Sequence, residues 1–187
     1  MRYTVVFDAC VLYPAPLRDF LLRLSTTGLF SAKWTNQIHD EWIKNVLKNR
    51  PELEEKLPRT RELMDRAVSD SLVTGYEPLI ESLELPDPDD RHVLAAAIRS
   101  NAQAIITFNL KDFPEAALNQ YGIEAIHPDA FIENQLDLHQ GAVIAVAKQH
   151  RQALLNPPKS VSEYIETLAA QGLAISADRF REFMELI

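Results

Sequence analysis

The sequence contains a single cysteine and no long apolar run, and both shortages limit what the protein can be. One cysteine, Cys10, excludes an internal disulfide bond and any metal site built from several cysteines. No apolar run approaches the roughly 20 residues that a membrane-spanning helix requires. The first residues, MRYTVVFDAC, do not resemble a signal peptide, because their short apolar run ends at an aspartate. We therefore expect a cytoplasmic protein with no membrane partner.

The sequence also lacks an excess of basic residues. Its formal net charge is -8, with 19 Lys and Arg against 27 Asp and Glu. Simple electrostatic attachment to nucleic acid usually leaves a basic footprint, so this charge weighs against that class of protein. Residues 1–136 hold seven of the eight net negative charges. The effective charge of this region becomes less negative if several of its carboxylates bind divalent cations.

What is present is the pattern of an α/β domain. The chain has 187 residues, of which 47% are hydrophobic and 25% are charged, which is typical of soluble proteins with a core. Short β-branched and apolar runs without polar alternation are typical of strands buried in a parallel sheet. Such runs lie at residues 3–9, 102–109 and 122–128, with weaker ones at 28–34 and 70–76. Helical patterns alternate with them, which predicts a largely parallel sheet.

The strand patterns stop near residue 136. Residues 137–187 are typical of helices only, interrupted by the breaker NPPKS at Asn156–Ser160. We predict two domains: an α/β domain at residues 1–136 and an all-helical C-terminal extension at residues 137–187.

Several acidic residues lie where a ligand site of such a fold is expected. Asp8 directly follows the first strand, and ligands collect beyond the carboxyl ends of parallel strands; a helix cap is the alternative. In LPDPDDRHVLAAA (residues 85–97), Asp87 or Asp89 can cap the following helix. Asp90 precedes Val93 by three residues and shares the buried face of that helix, where a carboxylate needs a partner or a metal ion.

Three further positions complete the set. Glu41 lies in a predicted helix beside the apolar Trp42, and a solvated neighbour of the core is the alternative. Asn109 and Asp112 follow the strand at residues 102–109, where an ordinary turn also favours Asn and Asp. Together the acidic residues fall at one rim of the predicted sheet. A cluster of oxygen ligands without His or Cys fits Mg²⁺ or Mn²⁺ and does not fit zinc.

The order of four short motifs resembles the PIN-domain ribonuclease family, to which toxin nucleases of the VapC type belong. The motifs are VFDAC, IHDEW, DPDDRHVLAAA and ITFNLKDF, and the resemblance covers about residues 2–136. It implies a PIN-like three-layer α/β/α fold with a central, mainly parallel sheet of about five strands. The helical extension lies outside the core pattern of the family, although some longer relatives carry one.

Residue by residue, the resemblance assigns Asp8, Glu41 and Asp90 to the first three acids of the family. In the fourth motif the family commonly has an aspartate shortly after a Thr or Ser, whereas here Asn109 follows Thr107. Asn109 then supplies a neutral oxygen or holds a water. The implied catalytic and metal-binding residues are Asp8, Glu41, Asp90 and Asp112. Thr107 and Asn109 would position water or phosphate, and the implied cofactor is one or two Mg²⁺ or Mn²⁺ ions.

The resemblance implies a Mg²⁺- or Mn²⁺-dependent endoribonuclease, the toxin component of a VapBC-type toxin–antitoxin system. Its products would carry a 5′-phosphate and a 3′-hydroxyl. The expected partners are an RNA substrate and a cognate antitoxin, with a homodimer as a further candidate. Two alternatives stay open: a PIN-fold binding or scaffold module that has lost catalysis, which Asn109 permits, and a PIN nuclease of RNA processing.

Overall fold

The computed structural model describes residues 2–187 as two compact units. The first unit contains the chain before Pro14 together with Phe30–His127. The second contains Pro14–Leu29 and Pro128–Ile187. Within residues 2–187, no helix is both long enough and apolar enough to span a membrane.

The first unit is built on a parallel four-stranded sheet. Its strands are β1 (Thr4–Phe7), β2 (Ser31–Lys33), β3 (Ala104–Ile106) and β4 (Glu124–Ile126), in the spatial order β2-β1-β3-β4. Val5 pairs with Ala32 on one side and with Ala104 on the other. The predicted parallel sheet is therefore confirmed. The weak fifth candidate at residues 70–76 contributes one isolated parallel bridge, between Leu72 and Trp34, rather than a strand.

Nine α-helices lie within the described residues. In chain order they are α1 (Ala9–Leu12), α2 (Ala15–Thr26), α3 (Asn36–Asn49), α4 (Leu57–Ala67), α5 (Arg91–Arg99), α6 (Glu115–Leu118), α7 (Pro128–Ala153), α8 (Val161–Ala170) and α9 (Ala174–Arg181). Within α7 the backbone of His139 is not helical, which marks a kink.

Local sequence explains how the helices that carry acidic residues begin. The Thr35 hydroxyl accepts the Ile38 N–H at 3.0 Å and caps α3. The Asp87 carboxylate accepts the Asp89 N–H at 2.9 Å and caps a 3₁₀ turn, Pro88–Asp90, that leads directly into α5. The middle of α5 is fully apolar and buried, and it packs against β1 and β3.

The strand order defines where a ligand site belongs. The chain passes from β1 to β2 on one side and later returns to β3 on the other side of β1. In open parallel sheets, ligands bind beyond the carboxyl ends of the strands at such a reversal of direction. The residues that follow β1 and β3 therefore lie at the predicted position of a site. The Asp8 N–H donates to the Ile106 carbonyl at 3.1 Å, which holds these two strand ends together.

The second unit is all-helical. It contains α2, α7, α8 and α9, and the rings of Phe20 and Phe180 pack edge to face with centroids 6.0 Å apart. The Asp129 carboxylate is buried and accepts the N–H groups of Ile175 and Ser176 at 2.9 and 2.8 Å, so it satisfies the first turn of α9. The predicted helices of the extension are confirmed. The predicted division at residues 136 and 137 stays a prediction, since compact packing does not test which segments act as domains.

Candidate active site

Asp8 is held rigidly at the end of β1. Its side chain is only 5% exposed, and it occupies the N-cap position of α1. One carboxylate oxygen accepts the Ala9 N–H at 2.7 Å, and the other accepts the Thr107 hydroxyl proton at 2.7 Å. A carboxylate has about four lone-pair positions, so these bonds orient Asp8 and leave capacity for a further ligand.

Cys10 and Thr107 form a hydrogen-bonded ring with Asp8. The Cys10 sulfur lies 3.2 Å from the Asp8 oxygen that Thr107 also contacts, and it accepts the Phe108 N–H at 3.3 Å. The Thr107 hydroxyl is fully buried and accepts the Asn109 N–H at 3.0 Å. Burial, followed by the negative charge of Asp8, raises the pKa of the Cys10 thiol to about 12, so the thiol is protonated and donates to Asp8. This ring joins the ends of β1 and β3.

Asp90 lies at the junction between the 3₁₀ turn and α5. The cap of this turn is Asp87, and the Asp90 side chain makes no capping hydrogen bond. Its side chain is half-buried. The prediction that Asp87 or Asp89 caps the helix is met only at the preceding turn: Asp87 caps the 3₁₀ turn, and no side chain caps α5 itself. The Asp90 carboxylate is left available for another role.

Glu41 lies beside a buried histidine. Its Oε1 is 2.8 Å from Nε2 of His92, which is 2% exposed, whereas Glu41 retains 37% exposure. The two atoms are close, but the orientation is not that of a hydrogen bond, and neither ring nitrogen of His92 has a hydrogen-bond partner among the described residues. At this distance the imidazole packs against the Glu41 carboxylate and limits its freedom.

Asn109 precedes a short 3₁₀ turn, Leu110–Asp112, after β3, and Asp112 is the last residue of that turn. The Asn109 side chain is exposed and does not cap the turn, while Asp112 is half-buried. The backbone fixes their relation, because the Asp112 N–H donates to the Asn109 carbonyl at 3.0 Å. Both side chains therefore lie on the segment that follows Thr107, which the hydrogen bonds among Asp8, Cys10 and Thr107 anchor.

The four acidic residues influence one another electrostatically. Burial raises the pKa of Asp90 to about 7, and the charges of Asp8, Asp87 and Asp112 add to this rise. Burial also raises the pKa of Asp8, and Glu41 adds to this, against the opposing effect of the three hydrogen bonds. Asp90 therefore lies in the electrostatic field of Asp8 and Asp112, and Asp8 in that of Glu41. Like charges in a partly buried site favour a bound cation.

The donor chemistry of this region fits a hard divalent cation. Every predicted ligand offers oxygen, which Mg²⁺ and Mn²⁺ prefer. Within residues 2–187, however, no three His, Cys, Asp or Glu side chains come close enough together to hold an ion jointly. Mg²⁺ commonly binds through one or two carboxylates and keeps several waters, so the set fits that type of site rather than an all-protein cage.

A groove with a volume of about 510 Å³ opens beside Glu41 and Asp90. One wall is a single face of α3, formed by Gln37, Glu41, Lys44, Asn45 and Lys48. The other wall includes Asp89, Asp90 and His92. A substrate that reaches the acidic residues from this side would lie along α3.

The structure brings most of the predicted residues into one region. Asp8 and Thr107 are in direct contact, and Asp90 interacts through its charge with Asp8 and Asp112. Their assigned roles, including the positioning of water or phosphate by Thr107 and Asn109, stay predictions. Thr107 additionally orients Asp8, and Cys10 shares this task, which the sequence analysis did not identify. The available signal was the spacing, since a residue two positions after an N-cap carboxylate can reach back to it.

Comparison with known proteins adds three findings. A family model described as "PIN domain" matches residues 4–111, and one described as "VapC50 C-terminal domain" matches residues 128–182. The chain is 41% identical over 109 residues to a protein of Mycobacterium tuberculosis named "Putative ribonuclease VapC50". That match covers 58% of this chain and 64% of the relative, slightly less than two thirds of its length. No solved structure matches the chain.

Proposed function

Because this chain belongs to the PIN-domain family, we propose that it is an endoribonuclease that requires Mg²⁺ or Mn²⁺. Asp8, Glu41, Asp90 and Asp112 would hold the ion or its waters. The proposal is supported by the name of the Mycobacterium tuberculosis relative and by the second family model at residues 128–182.

One observation carries the proposal: Thr107 fixes the Asp8 carboxylate at the joined ends of β1 and β3, and the neighbouring groove is lined by Glu41 and Asp90. Burial and three neighbouring acids also raise the pKa of Asp90 to about 7. A carboxylate whose negative form is this unfavourable near neutral pH is poised to gain from a cation. The local backbone does not use the Asp90 carboxylate, because Asp87 caps the 3₁₀ turn and Asp90 makes no capping hydrogen bond to α5.

Each residue of the site would have its own role in catalysis. Thr107 and Cys10 fix the Asp8 carboxylate and saturate one of its oxygens, while Ala9 occupies one position on the other, so about one lone-pair position of Asp8 is left for a ligand. Glu41 lies on α3, and His92 reaches it from the opposite wall of the groove and restrains its carboxylate. Asp90 and Asp112 are free of capping bonds and can accept a proton or a water. When bound, a divalent cation supplies Lewis acidity and positive charge beside the scissile phosphate.

The test is cleavage of a mixed RNA pool in the presence of Mn²⁺, Mg²⁺ or EDTA. We expect cleavage with either ion, none with EDTA, and products with 5′-phosphate ends. Asp8→Asn and Asp90→Asn should abolish cleavage, and Asp70→Asn, which removes the same charge from an exposed residue outside the grooves, should retain it. Cleavage in EDTA, or full activity of both variants, would refute the proposal, and a folded protein with no activity would favour the catalytically inactive scaffold.

We further propose that the chain acts as a VapC-type toxin with a cognate antitoxin in the cytoplasm, as the matched names suggest. Expression of the chain should then arrest growth, whereas the Asp8→Asn variant should not. Co-expression of the cognate antitoxin should restore growth. Undisturbed growth with full nuclease activity would instead favour a role in RNA processing. The homodimer stays a prediction.

A further inference from the structure

The groove beside Glu41 has charges of opposite sign along its length. Its α3 wall places Glu41 first, Lys44 about one turn further on, and Lys48 about one turn beyond that. Residues three and four positions apart share a helix face, so both ammonium groups project along the same side. The groove therefore begins among the acidic residues and continues past two cations.

Neither of these two lysines is held in an ion pair with a neighbouring acid. In the same stretch of sequence, Arg61 pairs with Asp40 at 2.8 Å and Arg50 pairs with Glu52. Within the described residues, neither Lys44 nor Lys48 forms an ion pair, and the Lys48 ammonium donates to the amide oxygen of Asn45 at 3.3 Å. Their charge is available to a ligand, although cations near a helix C-terminus also interact favourably with the helix dipole.

A second groove, of about 340 Å³, shares Asn45 and Lys48 with the first. Its other lining residues are Cys10, Tyr13 and Asn49. Tyr13 is 36% exposed, and its hydroxyl accepts the Asn49 side-chain N–H at 2.9 Å, which anchors the ring. Since Cys10 contacts Asp8, this groove borders the acidic region from another side. Lys48 and Asn45 form the ridge between the two grooves.

We propose that these two grooves bind single-stranded RNA, with Lys44 and Lys48 contacting neighbouring phosphates and Tyr13 stacking on a base. The proposal rests on the proposed nuclease function and adds the path of the substrate. Lysine pairs about one helical turn apart match the separation of successive phosphates in an extended strand. Anchored aromatic rings beside a cationic groove are a recurring platform for single-stranded nucleic acid.

The experiment measures binding rather than cleavage, so it is independent of nuclease activity. Fluorescence anisotropy of a labelled oligouridylate is recorded over a range of salt concentrations, with every variant carrying Asp8→Asn so that the RNA stays intact. For Lys44→Gln/Lys48→Gln we expect about tenfold weaker binding at low salt. The slope of log K against log salt should fall by about 1.4, because each phosphate contact to a single strand contributes about 0.7. The matched control, Lys56→Gln/Lys148→Gln, removes the same charge outside the grooves and should leave the slope unchanged.

Tyr13 is tested in the same assay. Tyr13→Leu should weaken binding about fivefold or more, while Tyr13→Phe, which keeps the ring but loses its anchor to Asn49, should weaken binding less than Tyr13→Leu does. Tyr121→Leu removes a similarly exposed ring elsewhere and is the control.

Four results would overturn the proposal. They are an unchanged affinity and slope in Lys44→Gln/Lys48→Gln, an equal loss in the lysine control, a lower melting temperature without loss of affinity, and tighter binding of oligodeoxyuridylate than of oligouridylate. If the wild-type chain cleaves no RNA but these variants behave as expected, the nuclease proposal fails while the RNA-binding grooves stand.

Discussion

The repulsion around Asp90 predicts that replacing this residue by asparagine stabilises the metal-free protein. Its pKa is raised from 3.8 to about 7, so the folded state holds the proton more tightly than the unfolded state. The contribution of this group to stability is fully present below pH 3.8 and is lost as pH rises through about 7. Above that pH the folded protein carries an unfavourable charge that Asn lacks.

The magnitude follows from the same values. The difference between 3.8 and about 7 corresponds to about 4 kcal/mol at about 1.36 kcal/mol per pKa unit. The Asp90 side chain is only half-buried, so solvent screening reduces this to about 2 kcal/mol. For a chain of this size, about 2 kcal/mol raises the melting temperature by about 4–8 °C.

The assay is thermal unfolding in EDTA and in Mn²⁺ across a range of pH. In EDTA at about pH 8, Asp90→Asn should melt above the wild type, and the difference should vanish as pH falls towards about 4. Mn²⁺ at about 100 times its Kd should stabilise the wild type by about 2.7 kcal/mol and should have little effect on the variant. Asp89→Asn is the control and should change stability by no more than about 0.5 kcal/mol. Equal melting temperatures of wild type and Asp90→Asn at about pH 8 in EDTA would refute the reasoning.

Three further predictions test individual contacts. Thr107→Val removes the proton donor to Asp8 and should slow RNA cleavage about tenfold or more, whereas Thr107→Ser should restore the rate; a fully active Val variant would argue against the orienting role. Asp129→Ala leaves the backbone N–H groups of the first turn of α9 without an acceptor and should lower the free energy of unfolding by about 3 kcal/mol. The melting temperature should fall by about 6–12 °C, while Asp137→Ala, at an exposed position, should change it little. Cys10 should react with iodoacetamide slowly in the folded protein and rapidly after denaturation, since a pKa of about 12 instead of 9.0 lowers the thiolate fraction about a thousandfold. Rapid alkylation of the folded protein would contradict the hydrogen bonds of Cys10 with Asp8 and Thr107.

Local patterns in the sequence correctly predicted much of the fold. The runs around β1 and β3 contain buried, β-branched residues without alternation, and the helical period of α3 with its Thr35 cap fixes that helix. These features depend on neighbours a few residues apart, and intrinsic preferences act at that range. The fifth strand was the exception: residues 70–76 form a single bridge with Trp34, because pairing depends on the partner segment rather than on the run itself.

The packing of α2 could not be read from its own sequence. Its apolar spacing predicts an amphipathic helix, and its place between two strands suggests that it belongs with the sheet. In the structure it groups with α7, α8 and α9, where Phe20 meets Phe180. An apolar helix face requires burial but does not specify the partner, so only the folded chain decides between them.

By itself, the sequence predicted the candidate site residues: carboxylates after strand ends, in a helix and at a helix start, without cysteine or histidine ligands. The tertiary structure decided what surrounds them. Thr107 orients Asp8 from 99 residues away, and His92 meets Glu41 across the unit. The groove likewise exists only because the start of α5 lies opposite Lys44 and Lys48 on α3. Such contacts depend on strand register and on helix packing over the sheet, and no local preference encodes them.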